Sequence, residues 1–312
     1  MLGIVIPAYK RPECLEGALE SLVNQTFKRF ITIVVDDHSP EPLEPVVNKF
    51  KDRLHIIYKY AEENGGPGVA RQIGLEVCYQ LNLDLVMFLD SDDKLYPQAA
   101  ARLTQEINRT FCDMVSANFY YEGKQGAGEK NTPQNKTWLH AKIFRIKFLK
   151  ENGISFSNLR TNEDLAFCLK VTELTNNTAF LNEELAWIGY EKSSITRNTA
   201  EKIERISADY IEALYEVGMF LFNKNKKLTS QMFANIVYSY THCQIGRIGN
   251  VWTKENTEKT KWLVQRPEFQ EFVNSKEIIN CFSGVHPWYL TANNKVIFFK
   301  QSFGQWLEEM SQ

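Results

Sequence analysis

The chain has 312 residues, enough for one large domain and an appendage, because single hydrophobic cores stop growing near roughly 250 to 300 residues. Its formal net charge of −2 supplies no global basic field, which excludes bulk electrostatic attraction to nucleic acid or an anionic membrane; any such contact has to be local. The six cysteines, Cys14, Cys78, Cys112, Cys168, Cys243 and Cys281, form no CxxC pair and no metal-ligand spacing, so they read as buried reduced thiols. The apolar run Leu2 to Ile6 is too short for a signal segment and leads into Pro7, Lys10 and Arg11, and no stretch elsewhere reaches bilayer-spanning length. The expectation is a soluble, cytoplasmic protein, with peripheral contact at the inner membrane face left open.

The first half alternates short β-rich runs with amphipathic helical patterns, the rhythm of a parallel sheet with crossover helices. Gly3–Ile6 is the first strand, followed by Leu15, Leu19, Leu22 and Val23 at helical spacing behind Pro12. Ile31–Val35 and His55–Tyr58 are the second and third strands, then Val69, Ile73 and Val77 repeat the helical spacing, and Leu85–Leu89 is the fourth strand. Most of these strands are continuously apolar, as strands covered on both faces are. A further strand is expected over Asp113 to Tyr121, followed by a polar surface loop from Glu122 to Lys136. Beyond Arg197 long helical patterns take over, at Ala200 to Phe222, at Thr229 to Gln244 and briefly at the C-terminus. The expected organisation is an α/β catalytic domain over residues 1–198 and a mainly helical C-terminal region over 199–312.

Ligands of open parallel sheets bind beyond the carboxyl ends of the strands. Here those ends are acidic. The second strand runs into Asp36-Asp37-His38-Ser39, and the fourth into Asp90-Ser91-Asp92-Asp93. Either motif alone is compatible with a turn or helix cap, because Asp and Ser favour both. Together, three or four carboxylates on one sheet edge repel strongly unless a cation or hydrogen-bond donors balance them. An oxygen-rich set with no cysteine and little histidine suits Mg2+ or Mn2+ rather than Zn2+, and such metals share carboxylates with substrate phosphates.

After the third strand, Asn64-Gly65-Gly66-Pro67-Gly68-Val69-Ala70-Arg71 is a glycine-rich turn opening a helix that carries an arginine. Arg71 can pair with phosphate, pair with a strand-end carboxylate, or stand on the surface. The segment is neither a dinucleotide fingerprint nor a P-loop: the first strand ends in Pro7-Ala8-Tyr9, and no G-K-[ST] follows. Thr161-Asn162-Glu163-Asp164 precedes a helical run and is either an ordinary N-cap or a carboxylate presented as a general base. Tyr190 to Thr196 contains Lys192, a cation for leaving-group charge or one residue of a solvated loop.

Taken in order, Ile4-Val5-Ile6-Pro7-Ala8-Tyr9, Val35 to Ser39, Asn64 to Gly74, Phe88 to Asp93, Glu163-Asp164 and Tyr190 to Thr196 resemble the family-2 glycosyltransferases of the GT-A fold, over about residues 2 to 198. The resemblance implies a nucleotide-sugar site. Pro7, Ala8, Tyr9 and Asp37 would line the base and ribose pocket, Arg11 would stand near the phosphates, and Asn64, Gly66 and Arg71 would close over the base and fix the strand-end acids. Asp90, Ser91 and Asp92 would form the DxD motif, with Asp92 and Asp90 on Mn2+ or Mg2+. Asp164 would be the catalytic base of an inverting transfer, with Glu163 beside it holding an acceptor hydroxyl. Trp138 and His140 lie where family members often shape the acceptor side, and Lys192 stands where arginine or histidine is common. His38 and Gln72 also depart from the family pattern, which has glycine and asparagine there.

The donor implied is a nucleotide sugar, with UDP the default, and the acceptor a glycan or lipid-linked glycan. A phage-type enzyme acting on hydroxylated DNA bases is the alternative acceptor reading, and a non-catalytic sugar-nucleotide or carbohydrate-binding module the alternative class. Phosphatases of the haloacid-dehalogenase type and sugar nucleotidyltransferases are disfavoured, since both need a different motif after the first strand. The aromatic-rich C-terminal region, with Trp252, Trp262, Trp288 and Tyr289, is assigned to acceptor binding, homo-oligomer formation or capping.

Overall fold

The computed structural model describes residues 1–123, 128–190, 200–227 and 254–267. By its internal contacts the chain divides into two units, Met1–Ser194 and Ile195–Gln312.

The first unit is built on β1 (Leu2–Ala8), buried along its whole length. It pairs in parallel with β2 (Phe30–Asp36) on one side and β4 (Leu85–Phe88) on the other, and β3 (Ile56–Tyr60) adds in parallel to β2. The continuously apolar runs are explained by two covered faces. Leu2, Ile4, Ile6 and Ala8 point into a core shared with Leu15, Leu19 and Leu22 of α1 (Pro12–Val23), and with α4 (Ala99–Thr110) through Leu103 and Ile107. Val5 points to the other face, against α3 (Pro67–Gln80). The register sets Ala8 opposite Asp36 and Val5 opposite Phe88, so the carboxyl ends of these strands share one edge.

The second half of the sheet is mixed. β8 (Lys142–Arg145) runs antiparallel to β4 and to β6 (Met114–Glu122), while β9 (Thr178–Ile188) is parallel to β6 and carries β5 (Lys94–Leu95). The order is β3-β2-β1-β4-β8-β6-β9-β5. Short helices α2 (Glu44–Asn48) and α5 (Ile146–Glu151) complete the crossovers. α6 (Glu163–Leu174) is held by an aromatic cluster: Phe167 stacks on Phe156 at 4.1 Å and meets Phe144 and Phe88 edge-on at 5.4 and 5.6 Å. That cluster fixes the start of α6 near the end of β4.

Three expectations need correction. The stretch Glu122 to Lys136 is not all loop: β7 (Gly128–Asn131) pairs antiparallel with Phe119–Glu122 of β6. Its polar sequence hides it, because an edge strand needs backbone partners more than an apolar face. The buried face of α3 is Gly68, Ala70, Arg71, Gly74, Leu75, Val77 and Cys78, whereas Val69 and Ile73 are only half-buried. Small residues there let the helix lie close on the sheet, so its packing face is not its most apolar stripe. Cys14 is half-buried, while Cys78, Cys112 and Cys168 are buried free thiols; Cys243 and Cys281 lie outside the described residues.

In the second unit, α7 (Ala200–Asn223) matches the helical pattern expected there, and α8 (Lys254–Val264) packs on it through Tyr215 and Trp262, whose rings are 5.3 Å apart. The helix expected at Thr229 to Gln244 and the short C-terminal one lie outside the described residues. Among the described residues no helix is long and apolar enough to cross a membrane.

Candidate active site

The loops at the carboxyl edge converge on two neighbouring clusters. The first is centred on Asp37, which follows β2 and is buried. Its carboxylate accepts hydrogen bonds from the backbone N–H of Gly65 and Gly66, both at 2.8 Å, and from Asn64 Nδ2 at 2.9 Å. Burial raises the Asp37 pKa, while the two backbone N–H groups and the charge of Arg160 oppose that rise. Gly66 has φ 90, a conformation open to glycine and strained for other residues, and it turns the chain into Pro67 at the start of α3. Pro7 and Ala8 end β1 beside this cluster, and Tyr9 is exposed just beyond, with Lys10 Nζ 4.8 Å from its ring centre. Asp36 is buried and bonded within the fold. It accepts from Ser39 N, Leu43 N and the Tyr58 hydroxyl at 2.9, 2.8 and 2.7 Å.

The second cluster is centred on Arg71, only 4% exposed, which settles the choice between a surface arginine and a buried bridge. Nη2 donates to Asp90 Oδ1 at 2.6 Å and Nη1 donates to Glu163 Oε1, so one guanidinium joins β4's end to the start of α6. Burial would lower the Arg71 pKa, but the two carboxylates outweigh it and keep the cation charged. Burial would likewise raise Asp90, yet Arg71 and His140 hold it below the usual carboxylate range. Glu163 is pushed up to about 7 by burial, against the pull of Arg71.

Beside Asp90, Arg11 Nη1 donates to Asp92 Oδ2 at 3.1 Å. Asp92 is raised by burial and then by the charge of Asp90. Asp93 is buried: Gly189 N donates to Oδ1 at 3.1 Å, and His140 Nδ1 lies 3.2 Å from Oδ2. Burial pushes Asp93 up to about 6, and although burial would lower His140, the contact with Asp93 and the charges of Asp90 and Asp164 raise it. Ligand atoms of Asp90, Asp93 and His140 come within 4.8 Å of one another, close enough to hold a metal ion. Ser91 is half-buried within the same turn, which closes through Asp93 N to Asp90 O at 3.0 Å.

Asp164 stands half-buried in the first turn of α6, one Oδ1 accepting from Leu165 N at 2.8 Å. Burial raises its pKa, with Arg71 and His140 opposing. Glu163, by contrast, is 4% exposed and turned onto Arg71. Trp138 is half-buried, stacked on Phe119 at 5.5 Å and edge-on to Tyr121 and His140 at 5.6 and 5.7 Å. Lys192 lies outside the described residues. Left-handed backbone gathers around these groups, at Lys10, Arg11, His38, Ala141 and Asn162, each in or next to a segment named above. Such strained residues cluster at functional sites.

Two contributors carried no sequence signal of their own. Asp93 is one of three acids in its turn, and only the contact with His140 sets it apart. Arg160, an exposed arginine in a loop, donates from Nη1 to Asn64 Oδ1 and from Nη2 to Asn64 O, the latter at 2.7 Å.

The profile of the family described as Glycosyl transferase family 2 matches residues 3–160. An uncharacterized glycosyltransferase of Haemophilus influenzae is 29% identical over 259 residues, which cover 76% of this chain and 86% of that protein. The poly(ribitol-phosphate) beta-N-acetylglucosaminyltransferase TarS of Staphylococcus aureus is 26% identical over 69% of this chain, but the match spans only 39% of TarS. The GalNAc(5)-diNAcBac-PP-undecaprenol beta-1,3-glucosyltransferase of Campylobacter jejuni is 30% identical over 66% of this chain and 64% of its own length. Among solved structures, residues 1–349 of S. aureus TarS in complex with UDP-GlcNAc superpose with a TM-score of 0.69 at 20% identity, covering 85% of this chain and 80% of that one. The fold is therefore the GT-A-like α/β arrangement.

Proposed function

The chain belongs to glycosyl transferase family 2, and from that premise we propose that it moves a sugar from a UDP donor to an acceptor hydroxyl, inverting the anomeric centre, in the synthesis of a cell-surface glycan. One observation carries the reading: Asp164 opens α6 beside Glu163, and Arg71 ties Glu163 to Asp90 at the strand edge. An acid at a helix start is thereby held in fixed relation to the acidic turn.

In this reading Pro7, Ala8, Tyr9, Asp37, Asn64 and Gly66 surround the nucleoside, and Arg11 stands near the diphosphate. Asp164 takes the proton of the acceptor hydroxyl as that oxygen attacks the anomeric carbon from the face opposite the leaving group. Glu163 holds Arg71 through Oε1 and is assigned, beside Asp164, to the acceptor hydroxyl. His140 and Trp138 form the acceptor-side wall, and Lys192 is assigned to leaving-group charge on the resemblance alone. The region beyond residue 198, which contains α7 and α8, is assigned to acceptor binding, self-association or capping.

The residues suit a divalent cation. Asp90, Asp92, Asp93, Glu163 and Asp164 face Arg11, Arg71 and His140, so carboxylates outnumber cationic groups, and oxygen dominates the donor set. Asp92 and Asp90 would hold Mn2+ or Mg2+, with Asp93 and His140 adjoining. When bound, such an ion neutralises charge developing on a diphosphate leaving group. The UDP donor is supported by the nucleotide sugar named in the TarS structure, and the glycan acceptor by the relatives named for poly(ribitol-phosphate) and undecaprenol-linked glycan. No observation on the described residues favours a DNA acceptor.

Asp164→Asn tests the assignment. It should abolish transfer while leaving UDP binding intact, and the wild-type product should carry the opposite anomeric configuration to the donor. Transfer by Asp164→Asn at the wild-type rate, or a product of retained configuration, contradicts the reading.

A further inference from the structure

The loop that bears Asn64 is fastened from outside its own strand. Arg160 lies in the segment leading into α6, 96 residues away in sequence, and its guanidinium takes both oxygens of Asn64, the side-chain Oδ1 and the backbone O. Arginine only donates hydrogen bonds and an ionised carboxylate only accepts. With Arg160 on Oδ1, the Asn64 amide has one orientation available, which turns Nδ2 onto Asp37 Oδ2 at 2.9 Å and Asp37 O at 2.8 Å. Reversing the amide would set an N–H group against the guanidinium and an oxygen against the carboxylate. The stem of Arg160 also covers Gly66: a Cβ there would stand 3.1 Å from Arg160 Cδ.

The same two segments touch twice more. Phe156 N donates to Gln72 Oε1 at 3.0 Å, and Gly68 approaches so closely that a Cβ would meet Ser157 O at 2.5 Å. Those contacts are partly buried, whereas Arg160 itself is exposed and contributes little to the core. Its place is over the nucleoside-side loop.

We propose that Arg160 is a positioning residue of the donor site, which fixes the Asn64 amide and, through it, the Asp37 carboxylate that the nucleoside meets. The inference rests on the donor-site reading above. Arg160 need not touch the nucleotide: it removes the freedom of the amide and loop that binding would otherwise have to restrict, so the bound geometry is present beforehand.

The test is calorimetric binding of UDP, dTDP, CDP, GDP and ADP to the whole chain with Mn2+ present, in the wild type and in Arg160→Ala, Arg160→Lys, Asn64→Ala and the Arg160→Ala/Asn64→Ala double variant, with melting temperature as a folding control. For whichever nucleotide the wild type binds most tightly, Arg160→Ala should weaken binding about tenfold, the scale of one charge-assisted hydrogen bond, with an unchanged melting temperature. Arg160→Lys should recover part of the loss, because an ammonium can serve one of the two oxygens. The double variant should lose clearly less than the sum of the two single losses, since without the Asn64 amide Arg160 keeps only its contact with the Asn64 backbone O and its charge toward Asp37. Wild-type affinity in Arg160→Ala, or additive losses in the double variant, overturns the role of Arg160 and leaves the donor site standing. Binding of none of the five nucleotides by the wild type overturns the donor site and this role together.

Discussion

Arg71 Nη2 lies 2.6 Å from Asp90 Oδ1, and the same guanidinium reaches Glu163 on the neighbouring helix. A single buried cation therefore sets the spacing between the acidic turn after β4 and the start of α6.

Arg71→Met should leave Glu163 buried without its counter-charge, at a cost of about 3 to 5 kcal/mol in stability. Arg71→Lys should recover little, because an ammonium cannot fork between two carboxylates as a guanidinium does. Chemical denaturation of the two variants checks this, and a loss below about 1 kcal/mol for Arg71→Met would show that the bridge matters less than its burial indicates.

The aromatic cluster beneath α6 makes a separate prediction. Phe167 is fully buried against Phe156, Phe144 and Phe88, and Phe167→Ala should cost about 3 to 5 kcal/mol by removing a large core side chain. Because those rings hold the helix that begins with Glu163 and Asp164, transfer should fall at temperatures where the variant is still folded. Thermal denaturation run alongside a transfer assay measures both.

Gly68→Ala should be more harmful than an ordinary helix glycine replacement. Its Cβ would meet Ser157 O at 2.5 Å and Glu163 Cγ at 2.9 Å, and one of these neighbours is backbone. A loss of about 1 to 3 kcal/mol is expected, the scale of overpacking, where helix propensity alone would give a gain. Stabilisation by Gly68→Ala would mean that the α3 contact with the segment before α6 is loose.

The acidity of Asp164 has a kinetic consequence. The base works as a carboxylate, and burial raises its pKa above the ordinary value of about 3.9, so activity should fall on acidification at a higher pH than for a free carboxyl. The charge of His140 opposes that rise. His140→Asn removes this charge, the Asp164 pKa climbs, and the acid limb of the kcat profile should move to higher pH. A limb that stays in place or moves to lower pH would remove His140 from the electrostatics of the base.

The parallel half of the fold is legible because β1, β2 and β4 are continuously apolar runs, and acids stand at the ends of β2 and β4. In the mixed half only β6 is legible, expected over Asp113 to Tyr121 and found at Met114–Glu122. β8 is four residues, Lys-Ile-Phe-Arg, and β7 is Gly-Glu-Lys-Asn, too short and too polar for any period to emerge. At the site, the acids stood out as local clusters, but their partners did not. Arg71 finds Asp90 and Glu163 at separations of 19 and 92 residues, and Arg160 finds Asn64 at 96; no local pattern announces a contact made that far along the chain. Glu163 illustrates the limit. Its place beside Asp164 suggests a contact with the acceptor, and no local pattern shows that its Oε1 also accepts from Arg71.

The most direct test of the donor site is calorimetric titration of UDP into the wild type and into Asp92→Asn, each with and without Mn2+. The wild type should bind UDP tightly and only with Mn2+, and Asp92→Asn should lose that dependence, since this carboxylate, balanced here by Arg11 at 3.1 Å, is assigned to the metal. Binding of UDP that is equal with and without Mn2+, or unaltered by Asp92→Asn, would contradict that assignment.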